Sequence, residues 1–590
     1  MIEWLYRMGV PPPVIPTQAA VVKAPILKTQ SISVPKAPKE PFVRVVPLGG
    51  CGEIGRNMTV IETNDDLVVV DCGLMFPDEE MFGVDIVIND FSYVRERAHK
   101  LRAVLVTHGH EDHIGGIPYF LREFPNTPIV GTAITGALIK AKSREHKLGE
   151  MPLVAVAPGD RVRYGEIEAE FVHINHSVAG ACSLAIRTPS GTIFHTGDFK
   201  FDQTPIDGRP ADFAALARIG EEGVLCMLAD STNAERPGHT QSERVVGEAF
   251  TTIFSKATGR ILIVSFASNV PRIQQAIDHA EKFGRKIAFL GRSMNNVLHF
   301  AREHGHLRIP PDILVKIEDV GNLRADQIVV MTTGSQGEPM SGLSRMSVRD
   351  HPKFAIDPGD TIVISATPIP GNEKSVYRTI NNLYRLGATV IHGNEGRAHV
   401  SGHASQEELL LMLNLIRPEY FIPVHGEYRM LVTHGRLATK TGVHPESVFV
   451  IENGDIVEFT AEYGDKIGKT YGGMVLVDGT GLGEMGEAVL RDRKMLSHDG
   501  IVTAVVAIDA EEVQPIGVPD IVTRGAFYEP ESEELIEHLR SHLSAMLATL
   551  SNDALRDTNS VREHVRATLA KEIFSRTRRR PVIVPIVIEA

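Results

Sequence analysis

The sequence predicts an α/β protein of several domains, of which the first large one is a sandwich of sheets flanked by helices. The chain has 590 residues, more than one hydrophobic core usually holds, so two or three domains are expected. Up to about residue 225, short runs rich in Val, Ile and Thr are separated by loops with few helices, as in stacked sheets. Beyond that point helices and strands alternate, which is typical of a parallel α/β sheet.

Composition places the chain among ordinary globular proteins. The formal net charge of -13 gives no overall basic character, so any contact with nucleic acid must depend on local patches. No apolar run reaches the length of a membrane span and the N-terminus does not resemble a signal peptide, so we expect a cytoplasmic protein without a membrane partner. The cysteines are widely spaced, which indicates reduced core thiols; they are Cys51, Cys72, Cys182 and Cys226.

The N-terminal region contains one misleading motif. Residues 1–41 are rich in Pro, Val and Lys and predict an extended, loosely docked arm. After the predicted strand Val43–Leu48, Gly50–Gly55 matches G-x-G-x-x-G, and Asp71 follows at the spacing of a dinucleotide fingerprint. That fingerprint requires a helix, but Asn57–Thr63 alternates with β-branched residues and predicts a strand. We therefore expect no nucleotide cofactor.

The stretch Thr107–Gly116 is the richest in chemistry, and it follows the apolar run Ala103–Val106 as a loop at a strand end. It offers three imidazoles and a carboxylate within six positions: His108, His110, Asp112 and His113. The first two point the same way, whereas the last two can turn towards a second ion. Neutral imidazole together with carboxylate suits zinc or manganese, so a metal site is predicted here.

Two further ligand types follow predicted strands. His176 follows the strand Glu168–Ile174, and Asp198 follows the strand Thr192–His195. Loops that leave a rigid scaffold commonly carry function. One complete set for an ion is therefore His108, His110, His176 and Asp198. A second set begins with Asp112, His113 and a shared Asp198.

A second α/β domain is predicted to be inserted into the first. The strand Cys226–Ala229 leads to Asp230–Asn233, helices and strands then alternate, and the chain returns near Ala388. The predicted segments are 42–228 and 388–460 for the first domain, 229–387 for the insertion, 461–485 for a Gly-rich linker and 486–590 for the C-terminal domain.

The returning segment contains two more candidate positions. Val400–Ser405 precedes the helix Gln406–Ile416, and free N–H groups at such a helix start favour a phosphate. The strand Tyr420–Val424 ends in His425, once more a histidine at a strand end. The C-terminal domain is a small α/β unit whose dense basic run, Arg576–Arg580, predicts a solvated helix end, with RNA contact as the alternative.

Together these motifs resemble the metallo-β-lactamase superfamily. The pattern is H-x-H-x-D-H from His108 to His113, followed by His176 and Asp198. The residues Asp230, His403 and His425 are similar to motifs A, B and C of its β-CASP branch, which acts on nucleic acids. Four stretches resemble the bacterial ribonuclease J family: Leu48–Met58, Asp230–Asn233, Thr333–Pro339 and Pro423–Arg429. The resemblance runs from about residue 42 to the C-terminus.

The resemblance implies a metallo-β-lactamase αββα sandwich with an inserted β-CASP α/β domain and a small C-terminal α/β domain. It implies two divalent ions per subunit, Zn²⁺ or Mn²⁺. The implied ligands are His108, His110 and His176 for the first ion and Asp112, His113 and His425 for the second, with Asp198 bridging both. The implied RNA contacts are Ser231, His399, Val400, Ser401, Gly402 and His403.

The family degrades RNA processively from the 5′ end, favours 5′-monophosphate ends and also cleaves internally. The resemblance therefore implies a ribonuclease that acts on single-stranded RNA in RNA maturation, including rRNA processing, and in mRNA decay. It further implies a homodimer or homotetramer formed through the C-terminal domain, and possible association with proteins of an RNA degradation complex.

The residues themselves permit two-metal phosphodiester hydrolysis, in which two ions activate a hydroxide and neutralise the scissile phosphate. We predict that His403 protonates the leaving 3′ oxygen, because it is not needed as a ligand, and that Asp230 orients it. Asp112 is counted with them as catalytic. A pocket for one 5′ phosphate would set the direction of cleavage, so 5′-triphosphate ends are expected to be poor substrates.

Three other functions fit part of the pattern. A β-CASP endonuclease of the 3′-end processing or DNA-repair type would share the ligands, but not the ribonuclease J stretches or the small C-terminal unit. A small-molecule metallohydrolase would not need the α/β insertion. A non-catalytic RNA-binding scaffold of a degradation complex would not need an intact ligand set, and metal analysis distinguishes it from an enzyme.

Overall fold

The computed structural model describes residues 40–78, 80–336, 341–368, 372–393, 396–478, 481–482, 487–527 and 529–590. Nearly all of the predicted arm, residues 1–41, lies outside the described residues, as does part of the motif Thr333–Pro339. None of the helices within these ranges has the length and apolar character that a membrane crossing requires.

Two large sheets form the centre of the first domain. The eight-stranded first sheet has, in spatial order, the strands Gly464–Lys469, Asp455–Phe459, Val43–Gly49, Met58–Glu62, Leu67–Val70, Leu101–Leu105, Ile129–Thr132 and Leu153–Val156. The six-stranded second sheet has the strands Arg161–Tyr164, Ile167–His173, Cys182–Thr188, Gly191–His195, Cys226–Asp230 and Tyr420–Val424.

The two sheets pack face to face around a common core. Alternate residues of a strand point to opposite faces, so Val43 and Val45 pack against Leu184 and Phe171 of the second sheet. Val46 and Leu48 instead point outward, into a core shared with the covering helices. The helices on the two outer faces are Ser92–Glu96, Glu111–Ile114, Ile117–Glu123, Ala133–Glu145, Phe213–Glu222, Gln406–Ile416 and Tyr428–Lys440. The predicted αββα sandwich is therefore confirmed.

The strand Met58–Glu62 follows the glycine-rich motif Gly50–Gly55, where a nucleotide-binding motif would have a helix. It pairs antiparallel with both Val43–Gly49 and Leu67–Val70 in the first sheet. Because a strand and not a helix follows Gly50–Gly55, the motif has no helix N-terminus to hold a pyrophosphate.

The inserted domain leaves and re-enters the second sheet through adjacent strands. Cys226–Asp230 and Tyr420–Val424 are parallel partners, although the whole insertion lies between them in the sequence. The five strands of the inserted sheet are all parallel; in spatial order they are Lys286–Leu290, Ile328–Thr332, Ile261–Val264, Thr361–Ile364 and Thr389–Ile391. The last strand lies beyond the predicted end of the insertion at residue 387. The helices of the insertion are Arg244–Lys256, Val270–Lys282, Arg292–Glu303, Gly342–Ser347 and Glu373–Arg385.

The predicted linker, residues 461–485, contains regular strands. Gly464–Lys469 extends the first sheet antiparallel to Asp455–Phe459, and Met474–Asp478 pairs with Ile86–Asn89. Glycine-rich composition led to the wrong expectation, because partner strands satisfy the backbone N–H and C=O groups of this segment. One partner lies immediately upstream in a hairpin, and the other is distant in sequence. Two small sheets complete this part of the chain. One has four strands, which in spatial order are Gly481–Leu482, Met474–Asp478, Ile86–Asn89 and Leu74–Met75. The other pairs Cys51–Gly52 with Gly426–Glu427.

The C-terminal domain is a three-stranded sheet covered by helices. Its strands are Gln514–Arg524, Ile501–Asp509 and Val582–Glu589 in spatial order, and its helices are Glu487–Asp499, Glu529–Leu547, Asn552–Arg556 and Thr558–Thr577. Sequence analysis missed the strand Gln514–Arg524, which contains Pro515, Gly517 and Pro519. It is an edge strand, where proline costs no central ladder hydrogen bond.

Candidate metal centre

The second sheet brings three polar strand ends to one edge of the sandwich. The strands Gly191–His195, Cys226–Asp230 and Tyr420–Val424 are parallel neighbours, so their carboxyl ends lie side by side. Asp198 follows the first of them and His425 follows the last. The first sheet faces this edge with the loop after Leu101–Leu105, so residues far apart in sequence meet here, as predicted.

One group of four residues has the spacing of a tetrahedral site. The ligand-type atoms of His108, His110, His176 and Asp198 all lie within 4.8 Å of one another. His110 Nδ1 is 3.1 Å from both His108 Nε2 and His176 Nε2, and Asp198 Oδ2 is 3.7 and 3.8 Å from those two atoms. Ligand atoms about 2.0–2.1 Å from a zinc ion in a tetrahedron are about 3.3 Å apart. The first group therefore fits one ion.

A second group shares the same aspartate oxygen. It consists of Asp112, His113, Asp198 and His425. Asp198 Oδ2 is 3.3 Å from His113 Nε2 and 3.6 Å from His425 Nε2, while Asp112 Oδ2 is 3.6 and 3.1 Å from the same nitrogens. These separations again match the edges of one coordination polyhedron. Because one oxygen of Asp198 faces both groups, the donor set fits two neighbouring divalent ions.

A third grouping overlaps the second and contains both predicted catalytic partners, Asp230 and His403, together with Asp198 and His425. His403 Nδ1 is 2.7 Å from Asp230 Oδ2 and 3.9 Å from Asp198 Oδ2. The Asp230 carboxylate is therefore the nearer partner of His403, and the role of Asp230 in orienting this imidazole stays a prediction. Because Asp230 holds the Nδ1 atom of His403, the Nε2 atom on the other side of the ring is left for another contact.

The histidines of the first group are neutral. Burial is the largest influence on their pKa values, and it lowers those of His108 and His176 well below the usual range and that of His110 to about 4. Neighbouring imidazoles lower them further. The Asp112 carboxylate opposes this for His110, and Asp198 opposes it for all three, but only in part. Since a metal ligand must present a lone pair, these three side chains are ready to bind an ion at neutral pH.

The histidines of the second group have the opposite shift. Burial alone would lower the pKa of His113 and His425, but Asp198 and the other nearby carboxylates raise both well above the usual range. The same imidazoles hold the pKa of Asp198 well below its usual range despite burial. Without an ion, the second group is therefore a network of imidazolium and carboxylate charges.

Asp71 supports both groups, and sequence analysis assigned it no role at this site. It is buried at the end of Leu67–Val70, where its Oδ2 accepts hydrogen bonds from His113 Nδ1 at 2.7 Å and Thr107 Oγ1 at 2.8 Å. Thr107 Oγ1 also lies 3.0 Å from His108 Nδ1. Since the hydroxyl proton is directed to Asp71, this oxygen accepts from His108 Nδ1–H, which leaves Nε2 as the lone-pair donor.

The same arrangement recurs at His425. Thr232 Oγ1 donates to Asp230 Oδ1 at 2.7 Å and accepts from His425 Nδ1 at 2.7 Å. His176 is fixed differently, because its Nδ1 donates to the carbonyl of Gly402 at 2.8 Å. Each of these hydrogen bonds selects the tautomer whose Nε2 faces the cluster. An acidic residue joined to a histidine through a threonine has no fixed sequence spacing that could have revealed it.

The loop His399–His403 lies over the cluster. Asn233 Nδ2 donates to Ser401 Oγ at 2.8 Å and to the carbonyl of His403 at 2.9 Å, which ties the loop to the end of the second sheet. A Cβ atom on Gly402 would lie 2.7 Å from His176 Cε1, so only glycine fits at this position. The loop therefore depends on the same histidine that faces the first group.

Two predicted RNA contacts are buried. Val400 is 6% exposed, and Ser231 is wholly buried with its Oγ 3.2 Å from the carbonyl of Ala229 and 3.0 Å from His434 Nδ1. An RNA contact by Val400 and a place for Ser231 near a terminal phosphate stay predictions. His399 is held by Arg272, whose guanidinium is itself fully buried against Glu243.

Family comparisons match successive parts of the chain. Residues 51–291 match the description "Metallo-beta-lactamase superfamily" and residues 258–383 match "Ribonuclease J, beta-CASP domain". Residues 391–450 match "Zn-dependent metallo-hydrolase RNA specificity domain" and residues 488–590 match "Ribonuclease J C-terminal domain".

Whole proteins are similar over nearly the full length. Ribonuclease J 1 of Streptococcus pyogenes is 42% identical over 92% of this chain and 97% of its own, and Ribonuclease J2 of Bacillus subtilis is 40% identical over 93% and 98%. Ribonuclease J of Mycobacterium tuberculosis is 42% identical over 93% and 97%. A solved Enterococcus faecalis protein, described as of unknown function, shares the fold with a TM-score of 0.51 at 15% identity, covering 71% of this chain and 100% of that one.

Fold and site together define a metal-dependent hydrolase of the metallo-β-lactamase superfamily with a β-CASP domain. Within that class, the chain belongs to the ribonuclease J family, which is a family of metal-dependent ribonucleases. The predicted family is confirmed, and divalent metal binding follows from it.

Proposed function

We propose that this chain hydrolyses single-stranded RNA with two divalent ions, Zn²⁺ or Mn²⁺. It acts as a 5′→3′ exonuclease that favours 5′-monophosphate ends and as an endonuclease, in RNA maturation and mRNA decay. The observation that carries the proposal is the pair of buried ligand groups that share Asp198 Oδ2. A cytoplasmic location, a dimer or tetramer formed through the C-terminal domain and contact with degradation-complex proteins belong to the same proposal.

In this proposal the reacting phosphate approaches the two ligand groups from their open side. If these groups held two divalent ions, the ions would lower the pKa of a nearby water molecule and offset negative charge on the phosphate. The Asp198 side chain is 3% exposed, whereas that of Asp112 is 30% exposed. Asp112 is thus the ligand carboxylate on the open side, which supports its place among the catalytic residues.

His403 is the proton donor in this proposal. Although burial opposes it, the nearby Asp230 carboxylate raises the pKa of His403 above its usual value, which favours the protonated imidazole that a proton donor requires. Its Nδ1–H is held by Asp230, and Nε2–H is left to protonate the 3′ oxygen as that oxygen leaves. Asp230 is a positioning residue that keeps this proton on the ring.

His399 is suited to hold a phosphate oxygen without carrying charge. Burial, and after it the Arg272 guanidinium, lowers the pKa of His399 to about 3. Arg272 Nη1 donates to His399 Nδ1 at 3.2 Å, so the ring proton is on Nε2 and is available to an acceptor. Together with the Ser401–Gly402 turn, this donor supports a seat for a 5′ phosphate.

The experiment is digestion of two RNAs of identical sequence, one with a 5′-monophosphate and the other with a 5′-triphosphate, both labelled at the 3′ end. With added Zn²⁺ or Mn²⁺, we expect the full-length labelled monophosphate RNA to disappear as mononucleotides are released from its 5′ end, with few labelled intermediates. Equal rates on the two ends would contradict the phosphate seat. Discrete internal cuts alone would favour an endonuclease, and binding without cleavage would favour a scaffold.

A further inference from the structure

A second cluster of metal-ligating side chains lies in the C-terminal domain, far from the candidate metal centre in sequence. It consists of His538 and His542 on the helix Glu529–Leu547 and Glu572 on the helix Thr558–Thr577. The two histidines are four positions apart, which places them on one face of their helix, one turn from each other. The cluster therefore spans two helices.

The cluster lies at the edge of the contact between these helices. Leu539 and Leu543, each next to one of the histidines, are fully buried in a common core with Leu569 and Ile573 of the other helix. This core fixes the helix backbones, so the three ligand-type side chains are held opposite one another by packing and not by their own contacts.

The two imidazoles lie near different oxygens of the same carboxylate. His538 Nε2 is 2.7 Å from Glu572 Oε1, and His542 Nε2 is 3.9 Å from Glu572 Oε2. The imidazole rings are nearly parallel, with an angle of 19° and centroids 6.0 Å apart. Ligand atoms of one zinc ion are about 3.3 Å apart, so small rotations of these side chains bring both nitrogens and one oxygen to a single ion.

We propose that His538, His542 and Glu572 bind a divalent transition ion of the zinc class, which joins the two helices of the C-terminal domain. Two imidazoles and one carboxylate suit zinc better than magnesium or calcium, which prefer oxygen ligands alone. The His542 side chain is 51% exposed, so water completes the coordination. This site is independent of the RNA-cleaving centre and of the function proposed for it.

Arg576 sets the strength of this site. Its Nε donates to Glu572 Oε1 at 2.8 Å, and its Nη2 is 3.4 Å from His538 Nδ1. Ion binding at Nε2 requires the His538 proton to move to Nδ1, where the guanidinium now lies, and the guanidinium charge also repels a cation. Because the Arg576 side chain is 49% exposed, it can turn away, at the cost of its hydrogen bonds. Removal of Arg576 should therefore tighten ion binding.

The test is equilibrium dialysis of the full-length chain against buffered free Zn²⁺, with metal and protein measured in the same samples. We expect the double variant His538→Ala, His542→Ala to bind one zinc fewer per chain than the unchanged protein. Arg576→Gln should keep this zinc and hold it severalfold more tightly. The control is His564→Ala, an exposed histidine on the helix Thr558–Thr577 whose Nδ1 bonds only its own helix, at Ser560, among the described contacts.

Equal zinc content in the double variant and the unchanged protein would overturn the proposal, as would an equal loss in His564→Ala. Circular dichroism of each variant reports whether the helices remain folded. If the double variant loses helix content, the affinity of Arg576→Gln decides, because its increase is expected only if Arg576 opposes a bound cation. Unchanged or weaker binding in that variant would also overturn the proposal.

Discussion

The two ligand groups of the metal centre share an aspartate oxygen and yet hold their protons differently. In the first, His108, His110 and His176 face mainly one another, and burial lowers their pKa values. In the second, His113 and His425 face several carboxylates, which raise theirs. Before any ion binds, the histidines of the first group therefore favour neutral imidazole, whereas those of the second group favour imidazolium.

This difference implies unequal competition between protons and metal. An ion entering the first group displaces few protons, whereas an ion entering the second must displace protons that nearby carboxylates stabilise. The second group gains more negative charge once its protons have left, because Asp112 and Asp198 both face it. The first ion should therefore be retained over a wider pH range, and the second should respond more strongly to its surroundings.

The largest effect is expected from replacing Asp198, the residue that both groups share. Asp198→Ala should release both ions and lower the rate of RNA hydrolysis by about 10⁴-fold or more, since several kcal/mol of charge stabilisation are lost. Metal content and single-turnover cleavage are to be measured on the same preparation. Loss of one ion only would mean that the two groups do not depend on a common ligand.

A smaller effect is expected at His403, which belongs to neither ion in the proposed mechanism. His403→Ala should lower kcat by roughly 10²-fold or more, as for loss of a general acid. The metal content should remain that of the unchanged protein. Rates of RNA cleavage at saturating metal provide the measurement, and an unchanged kcat would show that His403 does not supply the proton.

The pH at which metal is lost should separate the two groups. A raised pKa means that His113 and His425 take up protons already near neutral pH, so occupancy of the second group falls as the pH is lowered. The lowered pKa of His110, about 4, keeps the first group deprotonated to much lower pH. Dialysis at stepwise decreasing pH, with metal counted at each step, should show one ion leaving before the other.

The Asp112→Ala variant provides the matched control for this experiment. It lacks a ligand of the second group only, so it should start with one ion and show only the release at lower pH. Release of both ions from the unchanged protein in one step would contradict the opposite pKa shifts.

Sequence reasoning identified the candidate ligands because they occupy short motifs at strand ends, such as His108–His113, and because the family motifs have fixed order. It could not predict the residues that hold them. Asp71 was considered only as part of a nucleotide motif, and nothing local connects it with His113. Thr107 and Thr232 are ordinary residues whose role depends on distant partners. The fold brings Asp71 within 2.8 Å of Thr107 and His425 within 2.7 Å of Thr232.

The fold, too, was predicted only in part. Helices with a clear period, such as Val270–Lys282, and the order of the domains followed from the sequence pattern. The strands Gly464–Lys469 and Gln514–Arg524 did not, because glycine and proline weaken their local signal and the pairing strand supplies the stability. Burial of Arg272 likewise depends on Glu243 and Ser365, which only the folded insertion places around it.

The smallest expected effect comes from a matched pair of threonines, one for each group. Thr107→Val and Thr232→Val each remove one hydroxyl with little change in volume. Each variant removes the hydroxyl that accepts a hydrogen bond from Nδ1 of one histidine, His108 or His425. Loss of such a partner weakens metal affinity by about 10-fold, at the low end of the usual range.

We expect Thr107→Val to weaken binding of the ion in the first group and Thr232→Val to weaken binding of the ion in the second. Competition with a chelator, read at a pH where both ions are bound, measures the two affinities. If both variants weakened the same ion, the two groups would be one coupled site, and the contrast in their pKa values would not describe two separate ions.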